Sequence, residues 1–394
     1  MRGIRHLLAI LCLFVCVSQP LLAQQPKTTT QSSTKIQYVD LGGYKLRLQV
    51  AGSGTPTVVL DCGFGDSLEV WNDVYPEVAR FARVAAYDRA GLGKSEPGPE
   101  PRSFAQIATE LHTLLHRANI APPYVLVGHS MGGANIRAFA SLFKEEVAGM
   151  VFVDPLNENI FRSVSDKERE TEMARQEAAI KNAPAGVQGE WRFSKSEALN
   201  NFPQLSSFGK PPDVPMMLLV AGRDRPPHWV KSVLDQYGNW MVEATEGGLV
   251  VTRDSSHYIQ RDEPSLVVSA IRRVVFPSVQ NALERAIKEK DVDAAISLYR
   301  QMRQRYPAEF FRESILNVLG YQQLNAKQMQ AAIAFFKLNV EMYPNSFNTY
   351  DSLAEAYMER GDREAAIQNY RKSLALNRDN TNAVQMMKKL GATP

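Results

Sequence analysis

The chain of 394 residues is short of cysteine, of histidine, of net charge and of long apolar runs, and each shortage excludes something. Of its three cysteines, Cys12 and Cys16 fall in the first apolar stretch, which leaves Cys62 without a partner. An internal disulfide is therefore excluded, and the hydrophobic core has to carry stability alone. A formal charge of +3 excludes the basic surface that nucleic acid or an anionic membrane would demand. The longest apolar run near the start, Leu7–Val17, is too short to cross a bilayer comfortably. With six histidines, any imidazole that does chemistry can be sought by elimination.

The N-terminus has the pattern of an export signal. Met1-Arg-Gly-Ile-Arg5 is basic, the apolar run follows, and Pro20-Leu-Leu-Ala23 precedes a polar stretch. Residues 1–23 are therefore expected to be a signal peptide cleaved after Ala23, with a retained anchor as the alternative. Residues 24–35, rich in Gln, Thr and Ser, read as a disordered leader. The protein is expected to be exported, to the periplasm or outside the cell, with no stable membrane span after cleavage.

From Ile36 the pattern alternates strand with helix. Tyr44–Val50 alternates apolar and polar residues, as expected of an antiparallel edge strand with one wet face. Thr57–Asp61, Val84–Tyr87, Tyr124–Val127, Val147–Val153, Met216–Val220 and Leu249–Val251 read as further strands, with helical spacing between most of them. That rhythm predicts an α/β fold: a mostly parallel sheet with helices on both faces. Pro155–Pro215 interrupts it with a charged helical run and Trp191, Phe193, Phe202 and Phe208. A connection this long is expected to cover a site, as a helical cap over about residues 155–213.

The stretch the cap would cover is Tyr124–Gly133. A buried strand, Tyr124–Val127, runs into Gly128-His129-Ser130-Met131-Gly132 and then into a helix. A turn this sharp needs small neighbours, and it lifts the Ser130 hydroxyl above the sheet toward the helix N-terminus. A serine hydroxyl is a weak nucleophile and needs a base, which in turn needs an orienting acid. His6 lies in the signal, His129 is the variable position of the turn, and His228 opens a helix. His112 and His116 lie four apart on the helix Phe104–Arg117 without the Glu of an H-E-x-x-H motif, so they read as a helix face and no metal site is expected. His257, after the last strand, is the candidate base, on the sheet edge where strand ends converge. For the acid, Asp224 in Gly222-Arg-Asp224 is favoured, with Asp154 at the end of Val147–Val153 as the alternative.

These segments resemble the α/β-hydrolase superfamily, in its cap-bearing, esterase-like branch, over residues 36–277. The resemblance rests on Gly-His-Ser-Met-Gly-Gly (128–133), Tyr-Asp-Arg-Ala-Gly-Leu-Gly-Lys-Ser (87–95), Gly-Arg-Asp (222–224) and Ser-His-Tyr-Ile-Gln (256–260). It implies Ser130 as nucleophile, Asp224 as acid and His257 as base, with no cofactor and no metal. It also implies an oxyanion hole from the backbone N–H groups of Met131 and Phe64. Cys62 replaces the His usual before Gly63-Phe64, but the donors are backbone groups and survive that change. A Ser at the turn, where Asp would stand, argues against dehalogenase and epoxide-hydrolase chemistry. The implied substrate is a small-molecule carboxylic ester. The alternatives are a peptidase, a carbon–carbon bond hydrolase, or a binding protein whose hydrolase body has lapsed.

Residues 278–394 differ in kind. Strand signals stop, and Leu316–Asn345 aligns with Tyr350–Asp379 at an offset of 34 residues: Ala331-Ala332-Ile333 on Ala365-Ala366-Ile367, and Phe336 on Tyr370. An earlier, degenerate copy includes Ala294-Ala295-Ile296 and Tyr299. The period resembles tetratricopeptide repeats. That implies an all-α domain which contacts a protein or peptide partner, or which docks on the body and keeps it soluble or dimeric.

Overall fold

The computed structural model describes residues 34–160, 165–223, 225 and 227–393. The expected signal peptide and nearly all of the leader lie outside the described residues, as does Asp224. No helix among the described residues is long and apolar enough to cross a membrane.

Eight strands form one sheet: β1 (Lys35–Asp40), β2 (Lys45–Ala51), β3 (Thr57–Asp61), β4 (Arg83–Tyr87), β5 (Tyr124–His129), β6 (Val147–Val153), β7 (Met216–Ala221) and β8 (Gly247–Thr252). Their order is β1-β2-β4-β3-β5-β6-β7-β8. β2 pairs antiparallel with β1 and β4, and every other pairing is parallel. The body helices are α1 (Tyr75–Ala79), α2 (Phe104–Arg117), α3 (Met131–Leu142), α4 (Asp166–Ala179), α5 (Ala185–Leu199), α6 (Pro203–Ser207), α7 (Pro227–Val233), α8 (Asn239–Glu243), α9 (Ile259–Asp262) and α10 (Pro264–Val275).

Successive side chains of a strand point to opposite faces, so a strand covered on both sides is apolar throughout. β3, β5 and β7 are buried along their whole length. Val59, Leu126, Phe152 and Leu218 enter one core, with Phe104, Leu111 and Leu114 of α2 and Ala138 of α3. Val58, Val127, Val151 and Leu219 enter the other, with Val78 of α1 and Ile271 and Val274 of α10.

The stretch expected to be an edge strand is corrected. β2 is flanked on both sides, and its presumed wet residue Arg47 is buried. The charge is tolerated there because Arg47 Nη1 lies 2.6 Å from Glu69 and 3.3 Å from Asp88. Polarity in the alternation marked a buried ion pair and not solvent.

Between β6 and β7, helices α4, α5 and α6 form the expected cap segment. One of its ties to the body is made of backbone. A Cβ on Gly91 would stand 2.7 Å from the Gly186 Cα, and one on Gly186 would run into the Gly91 carbonyl. Neither position has room for a side chain.

The C-terminal region is helical: α11 (Val279–Glu289), α12 (Val292–Arg305), α13 (Glu313–Asn325), α14 (Met329–Met342), α15 (Phe347–Glu359), α16 (Arg363–Leu376) and α17 (Thr381–Lys389). α11–α12, α13–α14 and α15–α16 pack as successive hairpins. Positions 34 residues apart share one environment, since Ala332, Ala366, Phe336 and Tyr370 are all fully buried. A Cβ on Gly320 would enter the Phe336 ring, so the α13–α14 contact depends on that glycine.

The hairpins meet the body through Phe276, whose ring centroid lies 6.0 Å from Phe81 and 5.1 Å from both Tyr306 and Phe310. Arg272 lies over Phe81 and Phe310 and pairs with Glu309. Phe276→Ala removes the ring at the centre of this cluster. It is expected to cost about 3–5 kcal/mol, as for other buried aromatics, read as a lowered urea midpoint. Limited proteolysis is expected to cut the variant near Ser278 well before the parent chain.

Candidate active site

Ser130 stands between β5 and α3 with φ 53° and ψ −117°, a backbone conformation L-residues rarely adopt. Its neighbours permit it by being small. A Cβ on Gly128 would collide with the Gly132 carbonyl, and one on Gly132 would meet the Asp61 and Cys62 carbonyls at 2.5 and 2.6 Å. The Ser130 N–H donates to Val153 O at 3.0 Å, which ties the turn to the end of β6.

His257 follows β8, and its Nε2 lies 2.9 Å from Ser130 Oγ. Its Nδ1 lies 2.6 Å from Asp154 Oδ2. The carboxylate at the imidazole is thus Asp154, the alternative weighed in the sequence, while the favoured Asp224 lies outside the described residues. Asp154 follows β6, which lies next to β5 in the sheet. Asp154 also turns inward with φ 42°, and its Oδ1 accepts the Ala221 N–H at 3.1 Å.

Arg225, which sequence reasoning missed, lies against both Asp154 Oδ2 and His257 Nδ1. Nδ1 cannot donate to the carboxylate and accept from the guanidinium at once. With Ser130 donating to Nε2, the ring proton sits on Nδ1 and goes to Asp154, while Arg225 serves the carboxylate. Burial pushes the Asp154 carboxyl up. The His257 hydrogen bond and the Arg225 charge outweigh it and hold the group below the usual aspartate range. Asp154 is therefore a carboxylate near neutral pH, as an acceptor of the imidazole proton must be.

The second residue missed is His129. It is fully buried, and its Nε2 lies 2.9 Å from the His257 carbonyl. Burial, and then the neighbouring His257, push it down to about 3, so it stays neutral. Nε2–H donates to that carbonyl and holds the loop that presents His257. Its position directly before Ser130 was the available signal.

The third is Arg89, in the segment 87–95 that carried part of the resemblance. Its guanidinium is fully buried and lies 2.8 Å from Asp61 and 2.6 Å from Glu190 of α5. It also donates to the carbonyls of Cys62 and Gly63, at 2.8 and 2.6 Å. Glu190 in turn accepts the Gly65 N–H at 3.0 Å. The loop 62–65 is thereby fixed with the Phe64 N–H left over, and the Met131 N–H is left over at the start of α3. Neither amide donates to protein among the described residues. Cys62 is buried and its thiol is pushed well above the usual range by that burial, so it serves as a small core residue.

A cavity of about 520 Å³ opens above Ser130, with Phe64, Met131 and His257 in its wall. The cap contributes Met173, Trp191, Ser194 and Phe202. Of the four cap aromatics singled out in the sequence, Trp191 and Phe202 reach the cavity. Phe193 packs on Phe104 at 5.3 Å, and Phe208 packs against the core. The His257 side chain is 32% exposed, enough for a molecule in the cavity to reach it. An apolar pocket with a few convergent polar groups is the ordinary form of a small-molecule site.

Residues 56–292 match the family model described as alpha/beta hydrolase fold, and the chain belongs to that family. It is 28% identical over 233 residues to the uncharacterized protein YqjL of Bacillus subtilis (strain 168), covering 59% of this chain and 88% of that protein. It is 33% identical over 103 residues to an AB hydrolase superfamily protein of Gibberella zeae, covering 25% of this chain and 32% of that protein. Among solved structures, Cfl2 of Burkholderia cenocepacia overlaps with TM-score 0.47 at 21% identity, covering 63% of this chain and 98% of that chain. A thermophilic esterase from Thermogutta terrifontis overlaps with TM-score 0.41 at 21% identity, covering 61% and 97%.

Replacing Arg89 by Met leaves Asp61 and Glu190 buried without their cation. A cost of about 3–5 kcal/mol is expected, read by chemical denaturation. Glu190→Gln keeps a hydrogen-bond acceptor for Arg89 and is expected to cost less.

Proposed function

We propose that the chain is a serine hydrolase that cleaves carboxylic esters through an acyl-enzyme on Ser130. The observation that carries this reading is the unbroken line Ser130 Oγ, His257 Nε2, His257 Nδ1, Asp154 Oδ2, with separations of 2.9 Å and 2.6 Å at its two hydrogen bonds. In it, His257 takes the hydroxyl proton as Oγ attacks the ester carbonyl, and later returns it to the leaving alkoxide. Asp154 holds the tautomer and stabilises the imidazolium that forms. Arg225 keeps the carboxylate ionised. The Phe64 and Met131 N–H groups face the developing oxyanion, where losing one donor costs about 3 kcal/mol in a comparable enzyme. Water then attacks the acyl-enzyme with His257 as base, and the acid product leaves. Cap residues Trp191 and Phe202 favour an ester with an apolar acyl or alcohol group.

Two further parts of the proposal concern the ends of the chain. The basic-apolar-small pattern of residues 1–23 supports export and cleavage after Ala23. Edman sequencing of the mature protein is expected to begin at Gln24. The hairpins from α11 onward support a tetratricopeptide-like domain that contacts a protein or peptide partner. A chain ending at Pro277 is expected to keep its turnover per active site, counted by fluorophosphonate titration, and to lose a partner that co-purifies with the full chain.

Ser130→Ala is expected to abolish hydrolysis of an aryl acetate and labelling by a fluorophosphonate. An active alanine variant overturns the proposal. Asp154→Asn is expected to lower kcat by about 10⁴-fold, as in the analogous triad variant, and Asp224→Asn by far less. The reverse ranking returns the acid role to Asp224.

A further inference from the structure

No glutamate follows His112 in an H-E-x-x-H pattern on α2, and the nearby Glu110 is held by Arg102, but the fold supplies a carboxylate from elsewhere. The turn Lys144–Glu146, directly before β6, brings Glu146 against the same helix face. Glu146 Oε1 lies 3.1 Å from His112 Nε2 and 3.5 Å from His116 Nε2. The three ligand-type atoms all lie within 4.8 Å of one another. We propose that His112, His116 and Glu146 form a binding site for a divalent transition-metal ion, zinc first by ligand type.

Metal geometry favours this arrangement. Zinc holds imidazole nitrogen and carboxylate oxygen at about 2.0–2.1 Å in a tetrahedron, which places neighbouring ligand atoms about 3.3 Å apart. The two measured edges, 3.1 and 3.5 Å, bracket that value. The third edge, between the two imidazoles, closes by rotation of His116, whose side chain is 48% exposed. His112 is held in place by its ring stacked on Phe143 at 3.9 Å and 8°. That exposure leaves the fourth position to water.

Two observations go beyond a pair of ordinary His–Glu hydrogen bonds. Both imidazoles converge on one oxygen of Glu146, while the other, Oε2, is buried with no hydrogen-bond partner. The two rings also sit with centroids only 4.2 Å apart. A cation accounts for both: it draws two Nε2 lone pairs and the carboxylate to one point, and it offers Oε2 a partner. Two imidazoles and one carboxylate suit zinc, copper or nickel better than magnesium or calcium, which prefer all-oxygen sites. Protonated imidazole cannot ligate, so binding weakens on acidification.

The site lies at the amino ends of β5 and β6, whereas Ser130 lies at the carboxyl end of β5. Five strand steps, about 17 Å, separate those ends. The ion therefore staples α2 to the turn before β6 and takes no part in the chemistry at Ser130.

The test uses the full chain, free of any histidine tag, stripped with chelator and titrated with zinc chloride. One zinc per chain by equilibrium dialysis and elemental analysis is expected, with a raised Tm. His116→Ala and Glu146→Gln are expected to lose that equivalent and the Tm shift while aryl acetate turnover stays unchanged. His112→Ala also removes a stacking partner of Phe143, so the half-exposed His116 decides. If the parent chain binds no zinc, or His116→Ala binds as much as the parent, the site does not exist.

Discussion

One buried guanidinium sets the geometry above the sheet. Arg89 is out of reach of water, and a charge in that position persists only if every donor is used. Its donors go to Asp61 at the end of β3, to the carbonyls of Cys62 and Gly63, and to Glu190 of the cap. Those partners belong to three different layers of the molecule. The loop beside Ser130 therefore cannot be described apart from the cap helix that covers it. The carbonyls of the loop are drawn toward the cation, and its Phe64 amide stays available on the cavity side.

Much of the fold was legible because binary pattern and strand ends speak locally. The run Tyr124–Val127 into Gly128, Ser130 and Gly132 required a buried strand, a tight turn and a helix, and each lies where the spacing put it. His257 was reached by elimination in a chain with few imidazoles. For the acid the sequence left two candidates, Asp224 ahead of Asp154, for a physical reason. Each follows a strand-like run in the sequence, and the sequence does not say which strand end lies nearer the imidazole. Sheet order decides that, through pairings between residues far apart in the chain. Arg47 and Arg89 were illegible for a related reason. A charge in a strand or loop reads as solvated until its distant partners, Asp88 and Glu190, are known.

The C-terminal helices illustrate a different kind of legibility. A period of 34 residues was visible because small and aromatic residues recur where helices touch, and Ala332, Ala366, Phe336 and Tyr370 are buried alike. The attachment to the body was invisible, since Phe81, Phe276 and the pair Tyr306 and Phe310 lie in three separate segments. Their cluster joins the last helix of the body to the second helix of the tail, so the two regions share an apolar seam and do more than hang from a linker.

The bare backbone contact between Gly91 and Gly186 bears on how molecules reach Ser130. Two main chains in direct touch leave no slack for sliding, and Glu190 pins the same helix four residues further along. Helix α5 thus acts as a fixed post. Helix α4, by contrast, buries only Arg169 and Met173. The α4 flank of the cavity is thus anchored by fewer buried side chains than the α5 flank, where Gly189, Glu190, Trp191, Glu197 and Ala198 are buried.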